Sequence, residues 1–326
     1  MSNTCICVVG MHRSGTSALA GALAAAGVQF GADLLSAADE NPLGFWEHRA
    51  VVRIHEDLLG ALGSSWDDIR ALPPAWWEEP QVASFRKRLT RIVSRDFGRT
   101  PLWGLKDPRI CRLLPLWKQI LSELGVQVVF VVLFRHPVEV AQSLQKRNGF
   151  STAKAGFLWL DHNLSAEAWS RGHTRVFVNF DSLIRAPSAA LQRVLTTAGR
   201  ASDDAPKDSL AQREAAVVPE LRHHIVDNQE WEVAFGVKGT LIAQCHHALT
   251  LCSDRDEISA HAIFDLLQVQ RDKIVAGFDE IATSHIADVQ RRISALESTV
   301  GYARATPRRC LIALLRRLGL PLSTQA

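Results

Sequence analysis

Residues 5–17 read Cys-Ile-Cys-Val-Val-Gly-Met-His-Arg-Ser-Gly-Thr-Ser, and few backbone geometries accommodate them. The apolar run predicts a buried strand, Gly10 and Gly15 bound a hydroxyl-rich loop, and the Ala-rich stretch from Ala18 to Ala26 predicts a helix at once. That order aims bare backbone N–H groups and a helix N-terminus at one place, an arrangement that holds phosphate. The glycines have the spacing of a Walker A loop, but Thr16 stands where that loop carries its Lys. A nucleoside triphosphatase uses that Lys on the β- and γ-phosphates. The basic residue here is Arg13, inside the loop, so the segment suits a phosphate-like anion and weakens a triphosphatase reading.

A second run, Val126 to Phe134, is β-branched and aromatic almost throughout and predicts a strand buried on both faces of a parallel sheet. It ends in Arg135-His136-Pro137, with Pro137 suited to a first helical turn. Arg135 then sits at the carboxyl end of a central strand, where open α/β sheets bind ligands. Ser143 and Arg147, four residues apart, share a helix face. A guanidinium fork and a hydroxyl there make a second anion site.

These two segments together resemble the nucleotide motifs of the sulfotransferases that use 3′-phosphoadenosine-5′-phosphosulfate (PAPS). The resemblance covers roughly residues 4–200, is closest to bacterial members, and in Arg13-Ser14-Gly15-Thr16 is similar to tyrosylprotein sulfotransferases. It implies that His12, Arg13, Ser14, Gly15, Thr16 and Ser17 hold the 5′-phosphosulfate. It also implies that Arg135 and Ser143, eight residues apart, take the 3′-phosphate. The cytosolic family's C-terminal Arg-Lys-Gly element is not evident, Val237-Lys238-Gly239 being a faint echo, so Arg147 is the substitute expected to complete that site. Phe180 stands where the family usually has Tyr, and that contact is not carried over.

A third match, Leu102 to Arg109, is a short strand ending in Lys106-Asp107-Pro108. It resembles the segment whose Lys contacts the sulfuryl group in transit. Sulfuryl transfer builds charge on the bridging oxygen of the leaving phosphate, so fixed cations there favour the transition state over the ground state. Lys106 and Arg13 are the candidates; a solvated strand-end lysine is the plain alternative. The segment Glu40 to His48 is turn-rich, then aromatic, and opens a helix from Arg49 to Leu62. By resemblance to the tyrosylprotein branch, Glu47 is the expected base. A helix start would lower its pKa, whereas Phe45 and Trp46 could desolvate it and raise it. His48, Asp107 and His55 stand behind it as alternative bases, and an uninvolved helix charge is the bland one.

The fold expected is α/β: a P-loop-type three-layer sandwich with a central parallel sheet, plus an α-helical C-terminal extension. Helices are expected at 81–96, 109–124, 138–147, 154–171 and from Pro187 to Ala198, and strands at 102–106 and 175–180. The polar residues 201–209 suggest a boundary between a PAPS-binding core, 1–200, and a helical region, 201–326, for substrate cover, packing or oligomerisation. In that region Ile263, Leu267, Ile274, Phe278, Ile281, Ile286, Val289, Ile293 and Leu296 recur at helical steps. They predict an amphipathic helix or helical hairpin, with packing or a homodimer seam as its use.

With 47% hydrophobic residues among 326, the chain has ample core material, and its net charge of +3 is too small to imply nucleic acid. No apolar stretch reaches the roughly 18 residues of a membrane span, and Met1 to Thr4 lacks a basic leader, so a cytoplasmic protein is expected. Six cysteines without a CxxC pair suggest free thiols, with Cys5 and Cys7 on one strand face. His223-His224 and His246-His247 read as surface pairs, and the basic, apolar segment 308–317 as a docked terminal helix rather than a membrane-surface one. Trp76-Trp77 and the helix at 154–171 hint at an aromatic-lined acceptor site. The resemblance implies in-line transfer of a sulfuryl group from PAPS to a hydroxyl or amine of a saccharide, lipid or metabolite. Adenosine 3′,5′-bisphosphate would be the other product, and no metal is expected. A P-loop kinase-like enzyme and a non-catalytic nucleotide-binding or scaffold protein are the competing classes.

Overall fold

Strand β1 (Thr4–Val9) is the axis of the molecule, hydrogen-bonded on both edges. The computed structural model describes residues 3–38, 41–42, 44–200, 235 and 239–305. β1 lies between β2 (Leu102–Lys106) and β3 (Gln127–Phe134), and β4 (Arg175–Asn179) closes the sheet in the order β2-β1-β3-β4, all parallel. The register runs from Thr4 opposite Leu102 and Gln127 up to Val8 opposite Lys106 and Val131. Because the chain leaves β1 for β2 on one side and returns to β3 on the other, the crevice beyond β1 and β3 is a topological switch point.

Period-two alternation divides these strands between two cores. Cys5, Cys7, Val9, Trp103, Leu105, Phe130, Val132, Phe134 and Phe177 face one way. There they meet α2 (Arg49–Ala61), α3 (Val82–Phe97), α4 (Ile110–Glu123), α5 (Pro137–Asn148) and α6 (Thr152–Ser170). Ile6, Val8, Val131, Leu133, Val176 and Val178 face the other way, against α1 (Thr16–Ala25), α7 (Phe180–Arg185) and α8 (Pro187–Thr197). The result is the three-layer α/β sandwich expected. Helix boundaries follow local chemistry: Pro137 opens α5 and Gly149 closes it in the left-handed region, while Ser151 caps α6 by accepting from the Lys154 N–H. Helix α7 was not foreseen; six residues are too few for a 3.6-residue period to show.

Residues 1–271 form one compact unit and 272–326 a second. Within the first, α9 (Gly239–Ser253) contributes Cys245, Ala248 and Leu249 to the larger core. α10 (Glu257–Ala305) is a single helix rather than a hairpin, and its Ala260, Phe264 and Leu267 join the same core. The seam positions Phe278, Ile281, Ile286, Val289 and Ile293 lie outside the described side chains. So do 201–209, His223-His224, Val237-Lys238 and 308–317. Five described cysteines are free and buried. Among the described residues no helix is long and apolar enough to cross a membrane.

Two aromatic expectations change. Trp76 is 3% exposed and packs edge-on against Trp77, which meets Trp169 in turn, so this pair is core and rim rather than a cover for a ligand. His246 is not a surface residue; its ring packs against Phe134, His136 and Trp159, while His247 is exposed.

Gly10 ties the layers at the end of β1. A Cβ there would lie 2.2 Å from the Leu133 carbonyl oxygen, a backbone atom that cannot rotate away. Gly10→Ala is therefore expected to cost about 1–3 kcal/mol through overpacking, read as a lowered urea midpoint with an unchanged m-value.

Candidate active site

Each strand delivers one element of the site at its carboxyl end. β1 runs into Gly10 and the loop to Gly15; β2 ends on Lys106; β3 is followed by Arg135; β4 is followed by Phe180. Of these, Arg13, Gly15, Lys106, Arg135 and Phe180 line one cavity of about 1050 Å³ with His12, Thr16, Ser17, Phe45, Glu47, Trp66, Arg109, Ser143 and Arg147. A second cavity, about 600 Å³, opens at the amino ends of the strands around Thr4, Gln127 and Thr174, and none of the expected site residues lines it.

The loop at 10–15 turns on two left-handed residues, Arg13 (φ 70°) and Gly15 (φ 91°). Gly15 has no alternative: a Cβ there would lie 2.3 Å from the Phe180 ring. Helix α1 starts directly at Thr16, so its first-turn N–H groups, which have no partners within a helix, open on the cavity. Arg13 spans to the second motif, its Nε donating to Ser143 Oγ at 2.8 Å. Arg135 is 6% exposed; its Nε donates to Glu139 Oε2 at 2.7 Å, and its guanidinium lies 4.7 Å from the Phe180 ring centroid. Trp159 fixes it from behind by donating to the Arg135 carbonyl. Arg147 reaches the same cavity over the Trp66 ring.

Among the described residues, three buried polar atoms here lack a protein partner: Ser14 Oγ, His12 Nε2 and Arg135 Nη2. Burying such groups without hydrogen bonds costs free energy, and an anion bound in the cavity, which Arg135 lines, would satisfy its guanidinium. Burial, then repulsion from Arg109 and Arg147, pushes the His12 imidazole well below its ordinary range, so it is neutral. The donor set thus fits two anionic groups, one at the first-turn N–H groups of α1 and another at Arg135 and Ser143.

Glu47 and Lys106 form the centre of the remaining chemistry. Lys106 Nζ donates to Glu47 Oε1 at 2.6 Å, to Ser17 Oγ at 3.0 Å and to the Phe45 carbonyl at 3.0 Å. It is 3% exposed, so the solvated strand-end reading does not hold. Trp46 has φ 58° and packs edge-on against Phe30, while Phe45 and Glu47 on either side of it line the cavity. Burial raises the Glu47 carboxyl above the usual carboxylate range, against the pull of Lys106 and Arg109 and with a push from Asp107. A carboxylate raised in this way is a better proton acceptor.

The alternative bases sit elsewhere. His48 points to α3, its Nε2 3.1 Å from Asp96 Oδ2. Asp107 is buried, but Arg109 and the His55 hydrogen bond hold it well below the carboxylate range, which makes it a poor base. His55 is fully buried between Asp107 and Trp117. Arg109, Trp66 and Phe180 were missed as site residues. The Arg directly after Lys106-Asp107-Pro108 was the one available signal. The cavity's aromatic wall comes from Phe45, Trp66 and Phe180, and not from α6, whose Trp159 and His162 are buried.

No family model matches the chain, and no curated protein matches it. Solved structures that are similar to it include three sulfotransferase structures. The sulfotransferase domain of the Synechococcus PCC 7002 olefin synthase aligns at TM-score 0.43 and 17% identity, over 76% of this chain and 95% of that one. The sulfotransferase domain of the curacin biosynthetic pathway aligns at 0.40 and 15%, over 76% and 98%. A sulfotransferase from Mycobacterium tuberculosis H37Rv aligns at 0.39 and 15%, over 75% and 76%.

The buried Lys106–Glu47 pair yields a prediction of its own. Lys106→Met leaves Glu47 buried without its closest cation, a loss of about 3–5 kcal/mol for a broken buried pair. The double variant with Glu47→Gln should recover most of it. An acid whose folded pKa exceeds its unfolded one loses stability as pH rises between the two values. The single-variant penalty should therefore shrink in acid and grow towards neutral pH, as measured by urea unfolding across that range.

Proposed function

We propose that this chain is a PAPS-dependent sulfotransferase, moving a sulfuryl group to a hydroxyl or amine of a saccharide, lipid or small-molecule acceptor. The observation that supports it most is the meeting of two anion sites and a buried Glu–Lys pair in one cavity, tied by the 2.8 Å bond from Arg13 to Ser143. Arg13, Ser14, Gly15, Thr16 and Ser17 hold the 5′-phosphosulfate, with His12 as a neutral neighbour. Arg135 and Ser143, with Arg147, take the 3′-phosphate, a group that ATP lacks. PAPS supplies a sulfuryl group on a phosphate leaving group. Glu47 accepts the acceptor's proton. Lys106 and Arg13 stabilise the charge that grows on the phosphate oxygen, where a fixed cation acts more on the transition state than on the ground state. In the same reading the protein is cytoplasmic, and its C-terminal helices serve packing, acceptor cover or a homodimer.

Nucleotide choice is the first test. Arg135→Ala should weaken adenosine 3′,5′-bisphosphate by about 2–4 kcal/mol, as when one partner of a buried charge pair is lost, and AMP far less. Calorimetry with both ligands and with ATP–Mg²⁺ reads this. Equal losses for bisphosphate and AMP would make Arg135 structural, and preferred binding of ATP–Mg²⁺ would favour a kinase.

The base is the second test. Glu47→Gln should cut turnover by about 10²–10⁴ while PAPS affinity stays nearly intact. An acceptor is first found by mass spectrometry, as sulfation of a metabolite extract incubated with enzyme and PAPS. Near-normal turnover in Glu47→Gln would put the base elsewhere.

A further inference from the structure

Arg109 lines the cavity, yet the reaction above gives it no role. Its Nη1 stands 3.6 Å from Glu47 Oε2, the carboxylate oxygen that Lys106 does not take. Two anchors hold its guanidinium. Asp107 Oδ1 accepts from both the Arg109 backbone N–H and Nη1 at 2.9 Å, and Glu56 Oε1 accepts from Nη2 at 2.6 Å. The anchors pull in different surroundings: the Asp107 side chain is 1% exposed and that of Glu56 57%.

Asp107 is itself held. Its Oδ2 accepts from His55 Nδ1 at 2.8 Å, and His55 Nε2 accepts from Trp117 Nε1 at 2.9 Å. An indole N–H only donates, so Nε2 is the bare nitrogen and Nδ1 carries the proton that Asp107 receives. Trp117, His55 and Asp107 are all fully buried, on α4, α2 and the β2–α4 connection. The chain Trp117–His55–Asp107–Arg109 thus ends against the second oxygen of Glu47.

We infer that His55 is a positioning residue for Glu47: through Asp107 it keeps Arg109 against the carboxylate and so sets the pH at which Glu47 can accept a proton. This rests on the reading of Glu47 as the base. Among the described residues, the charged groups that act most strongly on Glu47 are Lys106 from β2 and Asp107 and Arg109 from the β2–α4 connection. A cation within about 4–6 Å favours the ionised carboxylate. Without the His55 donor, Asp107 Oδ2 is a buried acceptor with no partner, and the carboxylate is free to turn off Arg109. Exposed Glu56 is then the anchor that is left, and it draws the guanidinium outward. Glu47 loses one of its two cations, so its protonation midpoint moves up.

The test reads Glu47 directly. With glutamate labelled at the side-chain carboxyl carbon, the Glu47 resonance is assigned by its loss in Glu47→Gln and titrated by NMR in the full chain. His55→Ala should raise the midpoint by about half to one pH unit. His55→Asn, whose Nδ2 can stand where Nδ1 does, should keep it close to the parent value. Adding Glu56→Gln to His55→Ala removes the outward pull and should reduce the rise. Where His55→Ala fails to fold by circular dichroism, Trp117→Phe carries the test, with a smaller rise from the loosened ring. In turnover, the acidic limb of kcat should move with the carboxyl while the high-pH plateau is kept. A folded variant whose Glu47 midpoint stays put, with kcat lowered equally at all pH, overturns the inference and makes His55 structural. The titration needs no turnover: if Glu47→Gln stays active while the midpoint moves as stated, the base assignment fails and the positioning role stands.

Discussion

Everything at the cavity depends on β1 pairing with a parallel strand on each edge. That double pairing brings the ends of β2 and β3 level with Gly10, so Lys106 and Arg135 flank the loop from opposite sides. The loop can lie that close because Gly10 has no Cβ to meet the Leu133 carbonyl. The sheet is thus a charge-positioning device before it is a core.

Charge balance shapes the rest. The cavity gathers Arg13, Lys106, Arg109, Arg135 and Arg147, and several of them are buried against carboxylates: Lys106 on Glu47, Arg109 on Asp107, Arg135 on Glu139. Buried ion pairs of this kind add little net stability. What they do is hold guanidinium and ammonium groups in fixed directions, which an electrostatic site needs before its ligand arrives. Where a hydrogen bond is missing among the described residues, as at Arg135 Nη2, the side chain that carries the unmet group lines the cavity.

Much of this was legible in the residues alone. Strand ends could be read because apolar runs stop abruptly at Gly10, Lys106 and Arg135, and the loop because Gly10 and Gly15 bracket it. Other parts had no local signal. Glu47 and His48 are neighbours, yet one faces the cavity and the other α3, a divergence that follows the left-handed Trp46. A positive φ at a tryptophan leaves no trace in composition or periodicity. Trp66 and Phe180 were ambiguous for a different reason: an aromatic wall and an aromatic core residue look alike until the cavity is seen. The His55–Asp107 contact joins α2 to the β2–α4 connection, and no period on either segment reports it.

Phe180 deserves a different reading from that of a lost hydroxyl. Its ring sits under Gly15 so closely that a single added carbon there would overlap it, and the same ring carries the Arg135 guanidinium on its face. Positions 15, 135 and 180 are therefore one packing unit. A larger residue at 15 would need a smaller ring and would still be strained at a φ of 91°, and a smaller ring strands the guanidinium. A change at any one of the three therefore disturbs the other two, a steric and electrostatic coupling carried by segments that follow three separate strands.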